Sequence, residues 1–227
     1  MKKIIIFDLD NTFYEYQSTN IKALNSVFSS QDIFDTFEKF FEQYMNARAF
    51  VKKNFRDSTS INNRGKYFKI LLKNINYSNL DYAAELENVY WESFITEANI
   101  DEKVISYLES NKINDIKYHL YTNLNTEIQL RKLNKWKLNI FDKIVTSEDA
   151  GYEKPHSKFI KYVKPDLDLL YKDGFKFYAI GDVIENDLKP WKKLYNATTF
   201  LINSDDKDRN VDYITSLSKS VSIAIED

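Results

Sequence analysis

Lys3-Ile4-Ile5-Ile6-Phe7-Asp8-Leu9-Asp10-Asn11-Thr12 is the stretch whose reading decides the fold. Its first half is a short apolar run with β-branched residues, which reads as a buried strand. Its second half sets two carboxylates where that strand opens into a loop. With strand geometry persisting to residue 10, the Asp8 and Asp10 side chains point to the same side. Like charges held that close repel, so the pair implies a metal or a proton to share, and with it a metal-assisted nucleophile.

Beyond Thr12 the pattern turns helical. Ile33, Phe34, Phe37, Phe40, Phe41, Tyr44 and Met45 recur at spacings of three and four, an amphipathic helix over 32–45. Tyr67, Phe68, Leu71, Leu72 and Ile75 predict a second, and Ser78 caps a third that runs through Leu86, Val89, Tyr90 and Phe94. From about residue 100 the chain alternates. Helices over 101–111, 126–136, 156–172 and 186–195 separate strands at 117–121, 144–145, 175–180 and 198–202. Alternation of this kind predicts an α/β fold, a Rossmann-like parallel sheet covered on both faces. The strand over 3–7 joins that sheet from far away in sequence. The expected organisation is a sheet domain of 1–14 and 97–227 interrupted by a helical domain of 15–96.

Composition narrows the function. A formal charge of −2 lacks the net basic face that holding nucleic acid requires. The absence of Cys removes disulfides, zinc-thiolate sites and thiol nucleophiles. With only His119 and His156 present, a His-rich metal centre has little to draw on. Asp8 and Asp10 interrupt the N-terminal apolar run too early for a signal-peptide core, and no stretch approaches the roughly 20 apolar residues of a membrane span. A soluble cytoplasmic protein with no nucleic-acid or membrane partner is expected.

In open parallel sheets ligands bind beyond the carboxyl ends of the strands. Polar residues gather at four such ends: Asp8 with Asp10, Thr122-Asn123, the loop carrying Lys154-Pro155, and Gly181-Asp182 with Asn186-Asp187. These four segments, in this order, resemble the motifs of the haloacid dehalogenase-like (HAD-like) hydrolase superfamily. The connecting residues Gln129, Leu133 and Phe141-Asp142-Lys143-Ile144-Val145 resemble its capped phosphatase and nucleotidase branch. The helical insertion resembles that branch's α-helical cap domain. Leu124 departs from the pattern, standing where a Gly is frequent, as do the bulky Leu188-Lys189-Pro190-Trp191 and the long stretch from Lys154 to Gly181.

The resemblance implies a phosphatase that uses Mg²⁺, with a small phosphorylated metabolite as its partner and a monomer or homodimer as its state. Asp8 would be the nucleophile. The metal set would be Asp8, the Asp10 backbone carbonyl and Asp182, with Asp187 fixing its neighbours. Thr122 and Lys154 would bind the phosphoryl oxygens, and Asn123 would assist with substrate. Asp10 would protonate the departing alcohol and then activate water, a dual role that favours a proton affinity above that of an ordinary Asp. An acid at position 10 favours phosphoryl over halide chemistry. A nucleoside monophosphate is the first expected substrate and a sugar phosphate the second. A phosphomutase on the same scaffold, or a non-catalytic binding module that keeps the fold, are the alternatives.

The helical insertion carries a charge contrast. Residues 48–73 hold eight bases against Asp57 alone, and 74–102 hold seven acids and no base. This reads as two neighbouring helices, one basic and one acidic, that complement each other or simply face water, rather than as a basic surface drawing in an anion. Arg64 and Lys66 are the candidates for substrate contact there. His156 reads as a surface residue, His119 as a satisfied core or face residue, and the aromatic stripe over 33–45 as packing.

Overall fold

A computed structural model describes residues 1–55, 58–113, 115–202 and 211–227 of the chain. The chain forms two compact units, one of Met1–Glu15 with Asn99–Asp227 and the other of Tyr16–Ala98. Strand β1 (Lys3–Phe7) is followed by helices α1 (Tyr16–Ser29), α2 (Phe37–Asn54), α3 (Arg64–Asn74) and α4 (Tyr82–Glu97). Next come α5 (Glu102–Ser110), β2 (Ile116–Thr122), α6 (Thr126–Lys135), β3 (Lys143–Thr146), α7 (Ser147–Ala150) and α8 (Ser157–Lys172). The chain closes with β4 (Lys176–Gly181), α9 (Lys189–Tyr195), β5 (Thr198–Leu201), β6 (Tyr213–Ile214) and α10 (Leu217–Glu226).

The strands form one parallel sheet in the order β3-β2-β1-β4-β5-β6. β1 lies inside it, between β2 and β4, and all five of its residues are buried. Ile4 and Ile6 pack with Phe159 and Val163 of α8 and with Trp191 of α9. Phe7 meets Phe13, Tyr118 and Phe141. Burial of each such side chain contributes about 1.5–3 kcal/mol, so a strand apolar on both faces is held where a one-sided strand would not be. This is an α/β Rossmann-like core with an inserted α-helical unit.

Within the helical unit α1 packs on α4, α2 on α3, and α3 on α4. Its core is aromatic, with Phe40, Tyr44, Phe68, Tyr90 and Phe94 in successive ring contact. The acidic α4 lies against the basic α3: a Cβ on Gly65 would meet Glu87 Oε2 at 2.3 Å. Lys22 of α1 pairs with Glu97 of α4 at 3.1 Å. Arg56 and Asp57, part of the charge contrast, lie outside the described residues.

Several boundaries differ from the sequence expectation, each for a local reason. α2 begins at Phe37 because the Thr36 side chain accepts from Lys39 N–H, while Gln31 Oε1 takes the N–H groups of Ile33 and Phe34 in a separate turn. α4 begins at Tyr82, after Asn79 Oδ1 has accepted from Asp81 N–H, and Ser78 caps nothing in it. The helix expected over 186–195 is a π-helical turn, Ile184–Leu188, followed by α9 with Pro190 in its first turn, where a missing N–H costs nothing. β6 and α10 were not expected at all. Two exposed residues carry no periodicity, and the Ser-rich α10 buries only Ser220, Val221 and Ala224.

Candidate active site

The β-register brings the polar strand ends together. Phe7 pairs with Leu120 of β2 and with Ile180 of β4, so Asp8 emerges between the ends of those two strands. Its N–H donates to Ile180 O at 3.0 Å, extending the ladder by one residue. The chain then turns, with the Leu9 carbonyl accepting from Thr12 and Phe13 N–H. Asn11 adopts φ 63°, a left-handed conformation that Asn tolerates better than most residues. Its amide donates to Asp182 Oδ2 at 3.0 Å, which ties this turn to the end of β4.

Lys154 is the centre of the arrangement. Its buried ammonium donates to Asp8 Oδ1 at 2.8 Å, to Asp187 Oδ1 at 2.7 Å and to the Tyr121 carbonyl at 2.5 Å. All three donor positions are thereby used. Asp187 Oδ2 accepts from Val183 N–H at 2.9 Å, and the Thr12 hydroxyl reaches Asp8 Oδ2 at 3.4 Å. Burial pushes the Asp8 carboxyl well above its ordinary proton affinity; the Lys154 charge opposes this, and Asp187, Asp182 and Asp10 add to it. Burial also opposes the Lys154 charge, but Asp187 and Asp8 outweigh it and hold the ammonium charged. Asp182 is raised to about 6, by burial first and then by the Asp187 carboxylate.

Asp10 sits apart from this cluster and behaves differently. Lys132 Nζ donates to Asp10 Oδ1 at 2.5 Å, Gln129 Nε2 to Oδ2 at 2.9 Å, and the Tyr14 hydroxyl also donates to Oδ1. Burial opposes ionisation here too, but the Lys132 charge and these hydrogen bonds outweigh it and hold the carboxyl below the ordinary Asp range. The expectation of a raised proton affinity at Asp10 is therefore corrected. It rested on the dual role alone, whereas three donors from outside the motif converge on Asp10.

The remaining sheet-unit residues hold this frame. Thr122 is fully buried and its Oγ1 accepts from Gln129 Nε2 at 2.7 Å. Asn123, read as a substrate contact, has both ends of its amide on Lys154: Oδ1 accepts from Lys154 N–H at 2.8 Å and Nδ2 donates to Lys154 O at 3.3 Å. In this geometry its job is to hold the Lys154 loop. Leu124 takes φ 140°, a conformation that favours Gly, and Ser147 Oγ hydrogen-bonds both its N–H and its carbonyl. Such strain costs of order 1–3 kcal/mol, offset here by those two bonds and by burial of the leucine. His156 is exposed and its Nδ1 caps α8, while His119 is buried, with its proton affinity lowered to about 4 by burial.

Gly181 carries a sharper constraint. A Cβ there would lie 2.3 Å from Asp187 Cβ and 2.9 Å from its Oδ2. Gly181→Ala should push Asp187 off Lys154, lowering activity and costing about 1–3 kcal/mol of stability from overpacking. A urea midpoint equal to that of the parent would show that the loop yields freely.

Arg64 and Lys66 belong to the helical unit. Arg64 is buried, with its guanidinium 5.2–5.4 Å from the ring centroids of Tyr67, Tyr90 and Trp91. It donates to Asn62 O and to the Tyr16 hydroxyl, and its Nε is buried without a hydrogen-bond partner. The side chain is enclosed by rings rather than presented to a ligand. Arg64 was a candidate for substrate contact, and the helical period alone does not tell which face such a charged residue takes. Lys66 is half-buried, its ammonium 4.1 Å from the Phe55 ring centroid.

Asp8, Asp182 and Asp187 each offer a carboxylate oxygen within 4.8 Å of the others. Lys154 supplies one positive charge against three carboxylates, and burial first, then the neighbouring carboxylates, raise the proton affinities of Asp8 and Asp182. That charge deficit and an all-oxygen donor set fit a hard divalent cation. Gln129, Lys132, Tyr14 and Asn11 were not read from the sequence as site residues. The spacing of Gln129 and Lys132, one turn of α6 apart, was the available signal.

A family model described as haloacid dehalogenase-like hydrolase matches residues 5–194. A ribulose-1,5-bisphosphate 5-phosphatase of Halopiger xanaduensis is 28% identical over 92% of this chain and 88% of its own. A glyceraldehyde 3-phosphate phosphatase of Methanocaldococcus jannaschii is 29% identical over 93% of this chain and 90% of its own. Among solved structures, the magnesium-bound HAD-hydrolase YfnB of Bacillus subtilis superposes with TM-score 0.70 at 24% identity, covering 98% of both chains. A 2-haloacid dehalogenase of Pseudomonas syringae gives 0.68 at 16% identity, covering 100% of this chain and 99% of its own. These two structures share the fold. With most of its length matched by the family model, from β1 to α9, this chain belongs to the haloacid dehalogenase-like hydrolases.

Proposed function

We propose that this phosphoric monoester hydrolase acts on a small sugar phosphate through a phosphoaspartate on Asp8, with Mg²⁺ as cofactor. The observation that carries the reading is the buried Asp8–Lys154–Asp187 arrangement with Asp182 beside it, a nucleophile and cation-binding group in one place. The curated relatives, whose names specify a pentulose bisphosphate and a triose phosphate, move the first choice of substrate from a nucleotide to a sugar phosphate.

Mg²⁺ held by Asp8, Asp182 and the Asp10 carbonyl, with Asp187 alongside, would neutralise charge between carboxylate and phosphate. The chain's own residues supply the rest. An Asp8 carboxylate oxygen attacks phosphorus as the ester P–O bond breaks, and Asp10 gives its proton to the departing alkoxide. Asp10 must take up a proton before it can deliver one, and the approach of an anionic phosphate favours that uptake against the Lys132 charge. Water then attacks phosphorus, Asp10 takes the water's proton, and phosphate and the Asp8 carboxylate are released. Lys154 and Thr122 are the strand-end groups that would meet the phosphoryl oxygens where charge accumulates, Lys154 by exchanging one of its three present acceptors for them.

The test is phosphate release from glyceraldehyde 3-phosphate, ribose 5-phosphate and AMP, each with Mg²⁺. The sugar phosphates should be turned over faster, and preference for AMP would overturn the substrate class. Chelation by EDTA should stop turnover, and added Mg²⁺ should raise the melting temperature, by the equivalent of about 2.7 kcal/mol at a hundredfold excess over its Kd. That shift should fade as pH falls through about 6, where protons compete for Asp182. Turnover undiminished in EDTA would exclude the metal.

A further inference from the structure

Lys132 is 1% exposed at its side chain, lies on α6, and reaches Asp10 across 122 positions of sequence. Burying an ammonium is costly unless it is paired, so its placement restricts where the Asp10 carboxylate can sit. One turn earlier on the same helix, Gln129 Nε2 lies 2.9 Å from Asp10 Oδ2 and 2.7 Å from Thr122 Oγ1. The Asp10 oxygens thus have different keepers: Lys132 and Tyr14 on Oδ1, Gln129 on Oδ2. Asp10 itself keeps a 26% exposed side chain, open enough to meet a reacting oxygen while fixed in orientation.

We propose that Lys132 is a positioning residue, which with Gln129 aims the Asp10 carboxylate at the leaving-group oxygen and at the attacking water. The inference rests on the phosphatase reading, in which Asp10 moves those two protons. Proton transfer needs heavy atoms about 2.6–3.2 Å apart, and a loop carboxylate free to rotate would spend much of its time outside that range. A helix holding both carboxylate oxygens removes that freedom before substrate arrives. The same helix reaches Thr122 through Gln129, so proton transfer and phosphoryl binding share one rigid support.

The experiment compares two leaving groups in the full-length protein with Mg²⁺. An alkyl phosphate needs its leaving oxygen protonated, whereas p-nitrophenyl phosphate releases a stable phenolate that does not. Lys132→Met keeps the apolar stem and removes the charge. In single turnover, where release of the alcohol or phenolate reports only the first step, it should lower the rate on the alkyl phosphate by about 100-fold, the lower end of what general acid–base catalysis supplies, and change KM little. On p-nitrophenyl phosphate the single-turnover loss should be much smaller, whereas hydrolysis of the shared phosphoaspartate should slow equally for both. Lys132→Arg, which restores a cation, should recover part of the alkyl-phosphate rate. Equal single-turnover losses on both substrates, or no loss on either, would overturn the proposal. Should Lys132→Met fail to fold, Gln129→Met reads the same split through the other tether, with the same overturning results. A parent protein that turns over neither ester sinks the phosphatase reading itself; a parent active on both, with no leaving-group split in the variants, sinks only the role of Lys132.

Discussion

Asp8→Asn should abolish phosphate release, by about four orders of magnitude or more, the scale seen when a catalytic nucleophile is removed. The protein should fold normally. Asp8 is buried, and burial already disfavours its charge, so a neutral isostere removes a group that the folded state strains to keep ionised. The Lys154 ammonium would still have Asp187 Oδ1 and the Tyr121 carbonyl. Activity and stability should therefore separate, with thermal unfolding within a few degrees of the parent while turnover is lost. Retention of a substantial fraction of parental turnover would mean that phosphorus is attacked by something else. The same variant answers the rival reading of a binding module, which predicts no turnover in the parent either. Product identity answers the mutase reading, since a mutase returns the phosphoryl group to the sugar instead of releasing it.

Removal of Lys154 should have the second-largest effect, and it should damage both properties at once. Lys154→Met takes away the ammonium between Asp8 and Asp187 and leaves buried carboxylates without their cation. Breaking a buried pair from one side costs about 3–5 kcal/mol, because the remaining charge is neither solvated nor paired. Loss of the cation proposed to meet the phosphoryl oxygens should separately cost about 10²–10³ in kcat. The stability loss should depend on pH in a fixed direction. Burial raises Asp8 above the ordinary Asp value even with Lys154 present, and raises Asp182 to about 6. An acid whose folded-state proton affinity is raised stabilises the fold when protonated and loses that contribution as pH rises through its folded value. The deficit of the variant should therefore be largest above pH 6 and shrink as pH falls towards 4. Urea unfolding at several pH values measures it. A deficit that grows on acidification would contradict the assignment of the buried charges, and added Mg²⁺ should recover part of the loss at neutral pH.

The residues divide into those whose role local pattern exposes and those whose role depends on distant neighbours. Ile4-Ile5-Ile6-Phe7 announces a strand apolar on both faces, and such a strand fits the inside of a parallel sheet. The alternation after residue 100 follows from periodicities of 2 and 3.6, which are properties of short windows. Short elements escape that reading. β6 is two residues long, and α10 (Leu217–Glu226) carries an apolar face at Leu217, Val221, Ala224 and Ile225 that was not picked out among its serines. Helix starts escape it as well: Thr36 accepts a capping bond for α2, whereas α4, for which Ser78 was expected as the cap, has no side-chain capping bond.

By itself, the amino-acid sequence determined the alternating sheet, its helical interruption, and the presence of carboxylates, a hydroxyl and an ammonium at strand ends. Only the tertiary structure decided what those groups meet. It closed Arg64 among aromatic rings, turned the Asn123 amide onto the Lys154 backbone, and reversed the expected proton affinity of Asp10. The reason is physical: strand and helix periods are set by neighbours along the chain, whereas desolvation and Coulomb attraction depend on neighbours in space. For Asp10 the deciding neighbour, Lys132, is 122 residues away.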